Sequence, residues 1–137
     1  MGGITPRWVW LKFMYVYTIV GAGLLGLGII IVPDVVRTSL GWPKQDPITL
    51  GVMGSVYLAF GVLSILGLRS PLRFSPVLLL QLCYKLIWLM GVMVPLAASG
   101  RLSAHGTVLA AIFVAYVIGD LIAIPFGYVF AREGRSA

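Results

Sequence analysis

The chain has 137 residues, of which 60% are hydrophobic and only 10% charged, with a formal net charge of +6. Soluble domains carry roughly 25% charged residues, so this chain cannot cover a globule with polar surface. Its mean hydropathy of +1.03 excludes an ordinary soluble monomer, a disordered tail and a nucleic-acid binder built on a basic face. The single cysteine, Cys83, excludes an internal disulfide framework and a cysteine-only zinc site.

Four stretches are predicted to cross a membrane as helices: Trp8 to Val32, Ile48 to Leu68, Val77 to Ala98 and Thr107 to Ala131. A hydrocarbon core of about 30 Å takes about 20 helical residues. The stretches are apolar all round, whereas a barrel strand alternates over roughly ten residues. In lipid, every peptide group must bond within its own segment, and a helix does this. The first stretch begins with Arg7 and Lys12 but is longer than a signal-peptide core of about 7–15 residues, so it reads as a retained span. The expected fold is all-α, an antiparallel bundle of four transmembrane helices, with residues 1–137 forming one membrane domain. The segment from Val35 to Pro47 is the longest connection, and Trp42 within it is placed at headgroup level. Short turns at 69–76 and 99–106 make sequential spans antiparallel neighbours. Pro95 and Pro125 each remove one helical hydrogen bond and predict a bend.

Four spans put both termini and the 69–76 turn on one side, with Arg7, Lys12, Arg69, Arg73, Arg132 and Arg135. The other side has Arg37, Lys44 and Arg101. This bias predicts a multi-pass protein of the cell membrane with both termini cytoplasmic. It also accounts for the positive charge as topology and attraction to anionic headgroups, without nucleic acid.

Leucine burial gains little in a bilayer, so close backbone approach matters more. Ala111, Ala115, Gly119, Ala123 and Gly127 recur every four residues and predict a smooth ridge along the fourth span. Gly51, Ser55 and Ala59 form a shorter one on the second span. These ridges either pack the spans of one chain or face lipid and join a second copy or a larger membrane complex.

Ionisable groups within a span are functional candidates by default, and Lys85 and Asp120 are the two that qualify. Lys85 is nine residues beyond Pro76 and Asp120 twelve before Arg132. At ~1.5 Å per residue they lie about 13 and 18 Å from the same side, so an ion pair is feasible. Side chains lean toward the N-terminus of their own helix, however, which sends the two tips apart. The alternatives are snorkelling for Lys85 and a hydrogen bond to a neighbouring helix for Asp120. Gln81, Lys85 and Trp88 share one face of the third span, flanked by Tyr84. Tyr116 shares a face with Asp120, and Tyr57, Ser64, Tyr15, Tyr17 and Thr18 offer further hydroxyls. These groups can line a mostly apolar cavity with a few placed polar atoms, the usual character of a ligand site. Trp8, Trp10, Tyr15 and Tyr128, near span ends, read as an interfacial aromatic belt.

The sequence has no Cys-x-x-Cys, no phosphate-binding loop, no dinucleotide fingerprint and no zinc-protease motif. The only histidine, His105, reads as a solvated loop residue, and no metal site is expected.

The run Gly-Leu-Gly-Ile-Ile-Ile-Val-Pro-Asp at 26–34 closes a glycine-rich first span on a proline. The run from Tyr57 to Pro71, through Gly61, Gly67 and Arg69, is an apolar second span ending in a basic turn. Together these resemble the DoxX-like group of small four-helix membrane proteins. That resemblance implies a four-helix bundle. Some members of the group are accessory subunits of quinol-linked oxidases, and no catalytic residue of the group carries over to a position here.

Three functions fit. The first is a non-catalytic subunit, or a binder of a lipophilic small molecule such as a quinone or lipid inside the bundle. The second is a small proton-coupled transporter or channel acting through Asp120. The third is an isomerase- or cyclase-type enzyme on a lipophilic substrate, with Asp120, Tyr116 and Tyr84 as candidate catalytic groups.

Overall fold

The structure is a computed structural model, and it describes residues 6–133. The sixth basic residue of the predicted inner side, Arg135, lies outside the described residues. Four helices long and apolar enough to cross a membrane account for most of the chain: α1 (Trp8–Ile31), α3 (Pro47–Arg69), α4 (Ser75–Ala98) and α5 (Ala104–Ala123). Two short helices complete it, α2 (Pro33–Ser39) and α6 (Phe126–Val129). No strand occurs among the described residues. The protein is an all-α, four-helix membrane bundle, as predicted.

Local chemistry sets the helix ends. Val32 precedes a proline and leaves the helical region (φ −134°, ψ 63°), as steric conflict with the proline ring requires. Pro33 then starts α2, where its missing N–H costs nothing, and Asp34 and Arg37 pair at 3.6 Å along it. This helix, which runs from Pro33 into the predicted long connection, is not signalled by the sequence reading. Gly41 (φ 70°) and Gly100 (φ 71°) turn the chain after α2 and α4 in the left-handed region, which suits glycine. Asp46 caps α3, accepting from the Thr49 N–H at 2.9 Å and its hydroxyl at 2.8 Å. Ser103 caps α5 through the Gly106 N–H at 3.3 Å.

The fourth span departs from expectation. It was predicted to run to Ala131, with a bend at Pro125, but the helix stops at Ala123. Ile124 is extended (ψ 126°) because it precedes Pro125. The Arg7 guanidinium donates to the Ile122 carbonyl at 3.2 Å, supplying a cation where the helix dipole ends.

The helices close into a ring in which α1 packs along the whole of α3, α3 on α4, and α4 on α5. The first half of α1 completes the ring against α5. Backbone approach between α1 and α3 is very close. A Cβ on Gly26 would stand 2.6 Å from the Gly54 carbonyl oxygen, and one on Gly23 would stand 3.2 Å from the Gly61 Cα. Gly54 and Gly61, rather than Gly51, Ser55 and Ala59, therefore carry this interface. The structure puts Ser55 and Ala59 on the exposed face, and nothing comes near a Cβ on Gly51.

The ridge predicted on α5 is likewise discontinuous. Ala111 and Ala115 are exposed, Gly119 and Ala123 face inward, and Gly127 lies beyond the break in α6. Gly119 is spaced for Met14 of α1, which a Cβ would strike. The α-helical period fixes which residues share a stripe. It does not say which of several apolar stripes faces a neighbour.

Two turns of wider, π-helical winding, Ile19–Gly23 in α1 and Leu89–Met93 in α4, were also not foreseen. The second lies just before Pro95, whose ring takes away a helical donor. Beyond Trp88 no residue of α4 is buried.

Candidate functional site

Two apolar clusters divide the interior. One holds Leu11, Met14, Tyr15, Leu78 and Leu82 toward the chain termini; the other holds Ala22, Ile29, Tyr57, Phe60 and Phe113 toward the opposite end. Thr18, Ser64, Gln81, Lys85 and Asp120, all fully buried, lie near the junction.

Asp120 and Lys85 do not form the direct ion pair that their depths allow; among the described residues the only ion pair within 4.0 Å is Asp34–Arg37. Each has another partner. The Gln81 amide on α4 donates to the Asp120 carboxylate at 3.1 and 3.3 Å and to the Thr18 hydroxyl at 3.3 Å. The Thr18 hydroxyl is 3.4 Å from the Gln81 carbonyl oxygen. This ties α1, α4 and α5 together through one side chain. It matches the expected hydrogen bond from Asp120 to a neighbouring helix.

Lys85 does not snorkel. It is 1% exposed, and its ammonium donates to the Tyr84 hydroxyl at 2.8 Å. The rings of Tyr84, Tyr116 and Phe113 surround it with centroids at 4.3, 4.4 and 4.9 Å, and Phe60 stands at 6.0 Å. Each face presents its negative quadrupole to the charge, an attraction of about 2 kcal/mol when water is excluded. Phe113 and Tyr116 lie one to two helical turns from Asp120 toward the far end of the bundle, so the ammonium points away from the carboxylate. Packing against these rings, rather than the backbone lean of α4, decides its direction.

The caged ammonium forms the floor of a cavity of about 180 Å³. Its walls are Gly21, Ala22 and Leu25 of α1, Tyr57 of α3, Tyr84 of α4, and Leu109, Ile112, Phe113 and Tyr116 of α5. Leu40, Trp42, Val108 and His105 frame the end away from the chain termini. The cavity exists because α1 packs closely on α5 along its first half, leaving a gap beyond the wide turn at Ile19–Gly23. Gly21 has room for no Cβ, since one would strike the Tyr116 hydroxyl. That hydroxyl donates to the Tyr17 carbonyl at 3.3 Å and crosses the gap below the cavity.

Of the predicted site residues, Lys85, Tyr84, Tyr116 and Tyr57 line the cavity. Gln81 and Asp120 lie behind it in the Thr18 network. Trp88 does not reach it and instead packs edge-on to Phe113 at 4.8 Å.

Two ring placements, those of Tyr15 and His105, differ from expectation. Tyr15 is not in an interfacial belt; it is fully buried against Gly67 and donates to the Pro71 carbonyl at 2.6 Å. Trp42 folds over the cavity, and His105, in the first turn of α5 beside Ser103 at 3.0 Å, frames its mouth. Phe60 and Phe113 were missed. Phe113, Tyr116 and Asp120 fall at i, i+3 and i+7 on one face, so extending the Asp120 face by one turn finds Phe113. No such signal marks Trp42, which the fold of the 40–46 segment brings into place.

Among the described residues no three metal-ligating side chains come together. Comparison with known protein families, with curated proteins and with solved structures finds no match to this chain.

Proposed function

We propose that this protein is a non-catalytic membrane bundle that holds a lipophilic small molecule, a lipid or a quinone, in the cavity above Lys85. The observation carrying this reading is the shape of that cavity: mostly apolar walls, the caged Lys85 amine as its polar floor, and a gap between the second half of α1 and α5, two helices of membrane-spanning length. A ligand dissolved in the membrane reaches such an opening without passing through water. Pockets for whole drug-sized ligands span about 300–1,000 Å³, and a cavity of about 150 Å³ takes a benzene. The 180 Å³ here suits the head of a ligand whose tail stays between α1, α5 and the lipid. Asp120 does not line the cavity, so it is assigned to holding the helices.

The basic residues favour both termini in the cytoplasm, which turns the mouth at Trp42 and His105 toward the outer leaflet. A reporter fused at the C-terminus checks this orientation, and reporter activity on the outside overturns it.

Binding is tested with the purified protein in nanodiscs. With Trp8, Trp10 and Trp88 replaced by phenylalanine so that Trp42 is the sole tryptophan, its fluorescence is followed as brominated lipophiles of different head groups are added. Saturable quenching by at least one of them, lost in Leu109→Phe, which fills the cavity without adding a fluorophore, is expected. Quenching that rises linearly with every lipophile, or is unchanged in the variant, overturns the proposal.

A further inference from the structure

Resting on that reading, we infer that the head group taken by the cavity is a carboxylate, and that the ligand is a single-chain amphiphile of the fatty-acid class. Among the polar side chains lining the cavity, Tyr57, Tyr84, Lys85, His105 and Tyr116, the amine of Lys85 has the most N–H donors. Lys85 Nζ has three N–H donors; the Tyr84 oxygen accepts from it at 2.8 Å, and no carboxylate comes within 4.0 Å among the described residues. Aromatic faces attract an ammonium but accept no conventional hydrogen bond from it. A buried amine with unused N–H donors at the end of an apolar cavity is matched by a carboxylic acid, whose proton it takes on binding, and the charge-assisted hydrogen bonds of the resulting pair are the strong kind.

The Asp120 carboxylate does not meet this need, because it is held by Gln81 at 3.1 and 3.3 Å behind the cavity. A quinone fits less well, since it carries acceptors at opposite edges of its ring. The floor supplies one amine, and the other side-chain donors on the lining are the hydroxyls of Tyr57, Tyr84 and Tyr116 and the His105 ring at the mouth. One chain, rather than two, follows from the small volume and from a single gap bounded by Gly21, Leu25, Leu109 and Ile112.

The test compares dodecanoic acid, methyl dodecanoate, dodecanol and a short-chain quinone. Binding is measured by quenching competition on the full-length variant with Trp42 as sole tryptophan, in nanodiscs of uncharged lipid. The acid is expected to bind at least tenfold tighter than ester and alcohol, as a hydrogen bond to a charged group implies. Lys85→Met is expected to erase the difference while retaining ester binding. Should Lys85→Met fail to fold, the wild-type comparison and Tyr84→Phe, which keeps the ring and the ammonium, still decide. Equal binding of acid, ester and alcohol, or preference for the quinone, overturns the carboxylate assignment and leaves the lipophile-binding function standing. Binding of none of the four overturns both.

Discussion

The closest backbone contact in the bundle gives a prediction whose size follows from distances. In Gly26→Ala the new Cβ would stand 2.6 Å from the Gly54 carbonyl oxygen and 2.9 Å from the Tyr57 carbonyl carbon. Favourable C···O contacts between packed helices lie at about 3.3–3.6 Å, so α1 and α3 must part by about 0.7 Å or more. A gap of about 0.5–1 Å forfeits a quarter to a half of the dispersion attraction across it. Taking the affected patch as one buried leucine's worth, about 50 atom pairs at ~0.1 kcal/mol each, the loss is about 1–3 kcal/mol. Overpacked cores lose a similar amount. Alanine also gains about 1 kcal/mol of helix propensity over glycine, and Gly51→Ala isolates that gain because nothing lies within 4 Å of its added Cβ. Unfolding in mixed micelles of rising dodecyl sulfate content, followed by tryptophan fluorescence, should find Gly26→Ala less stable than Gly51→Ala by about 1–3 kcal/mol. A difference below about 0.5 kcal/mol would refute the close-packed α1–α3 interface.

Three other outcomes are expected. Tyr84→Phe removes the hydroxyl that accepts from Lys85 but keeps the ring, and should cost about 1–2 kcal/mol in the same unfolding assay; an unchanged midpoint excludes that hydrogen bond. A double-mutant cycle of Gln81→Leu and Asp120→Leu should show a coupling energy of about 1–2 kcal/mol, whereas simple additivity would mean the two side chains do not interact. The Thr49 N–H and hydroxyl hold the Asp46 carboxyl below its usual range, so its folded value lies below the unfolded one of about 3.9. The cap therefore contributes fully above about pH 4 and is lost as pH falls through the folded value. Amide-exchange protection of Thr49 and Leu50, corrected for intrinsic rates, should drop in that window. The same drop in Asp46→Asn would show that another group is responsible.

Much of the interior was legible from residue type and depth. Lys85 and Asp120 stand out because an ionisable group in a span is costly anywhere, and Tyr84, Tyr116 and Tyr57 follow from helical spacing around them. Direction was not legible. The lean of Cβ bonds along a helix sends Lys85 toward the chain termini, but a four-carbon side chain follows whatever surrounds it. Here the rings of Phe113 and Tyr116 draw it the other way. Tyr15 was misplaced for a similar reason. Its position near a span end suits a membrane interface, yet Gly67 leaves a hollow that its ring fills, with the Pro71 carbonyl at the end of that hollow.

Composition and length alone determined that this protein lies in a membrane, that it crosses four times, and about where each crossing begins. These are sums over local properties, and lipid enforces them residue by residue. Which stripe of each helix faces a neighbour was decided only in three dimensions. In a soluble helix the polar face reveals the buried one; α3 is apolar all round, so the 51–55–59 and 54–57–61 faces look alike in sequence. The wide turn at Ile19–Gly23 shifts the phase of α1 midway. The proline break after Ala123 ends α5 early. The cavity is the space left where α1 follows α3 and parts from α5. That parting belongs to no single segment of the chain.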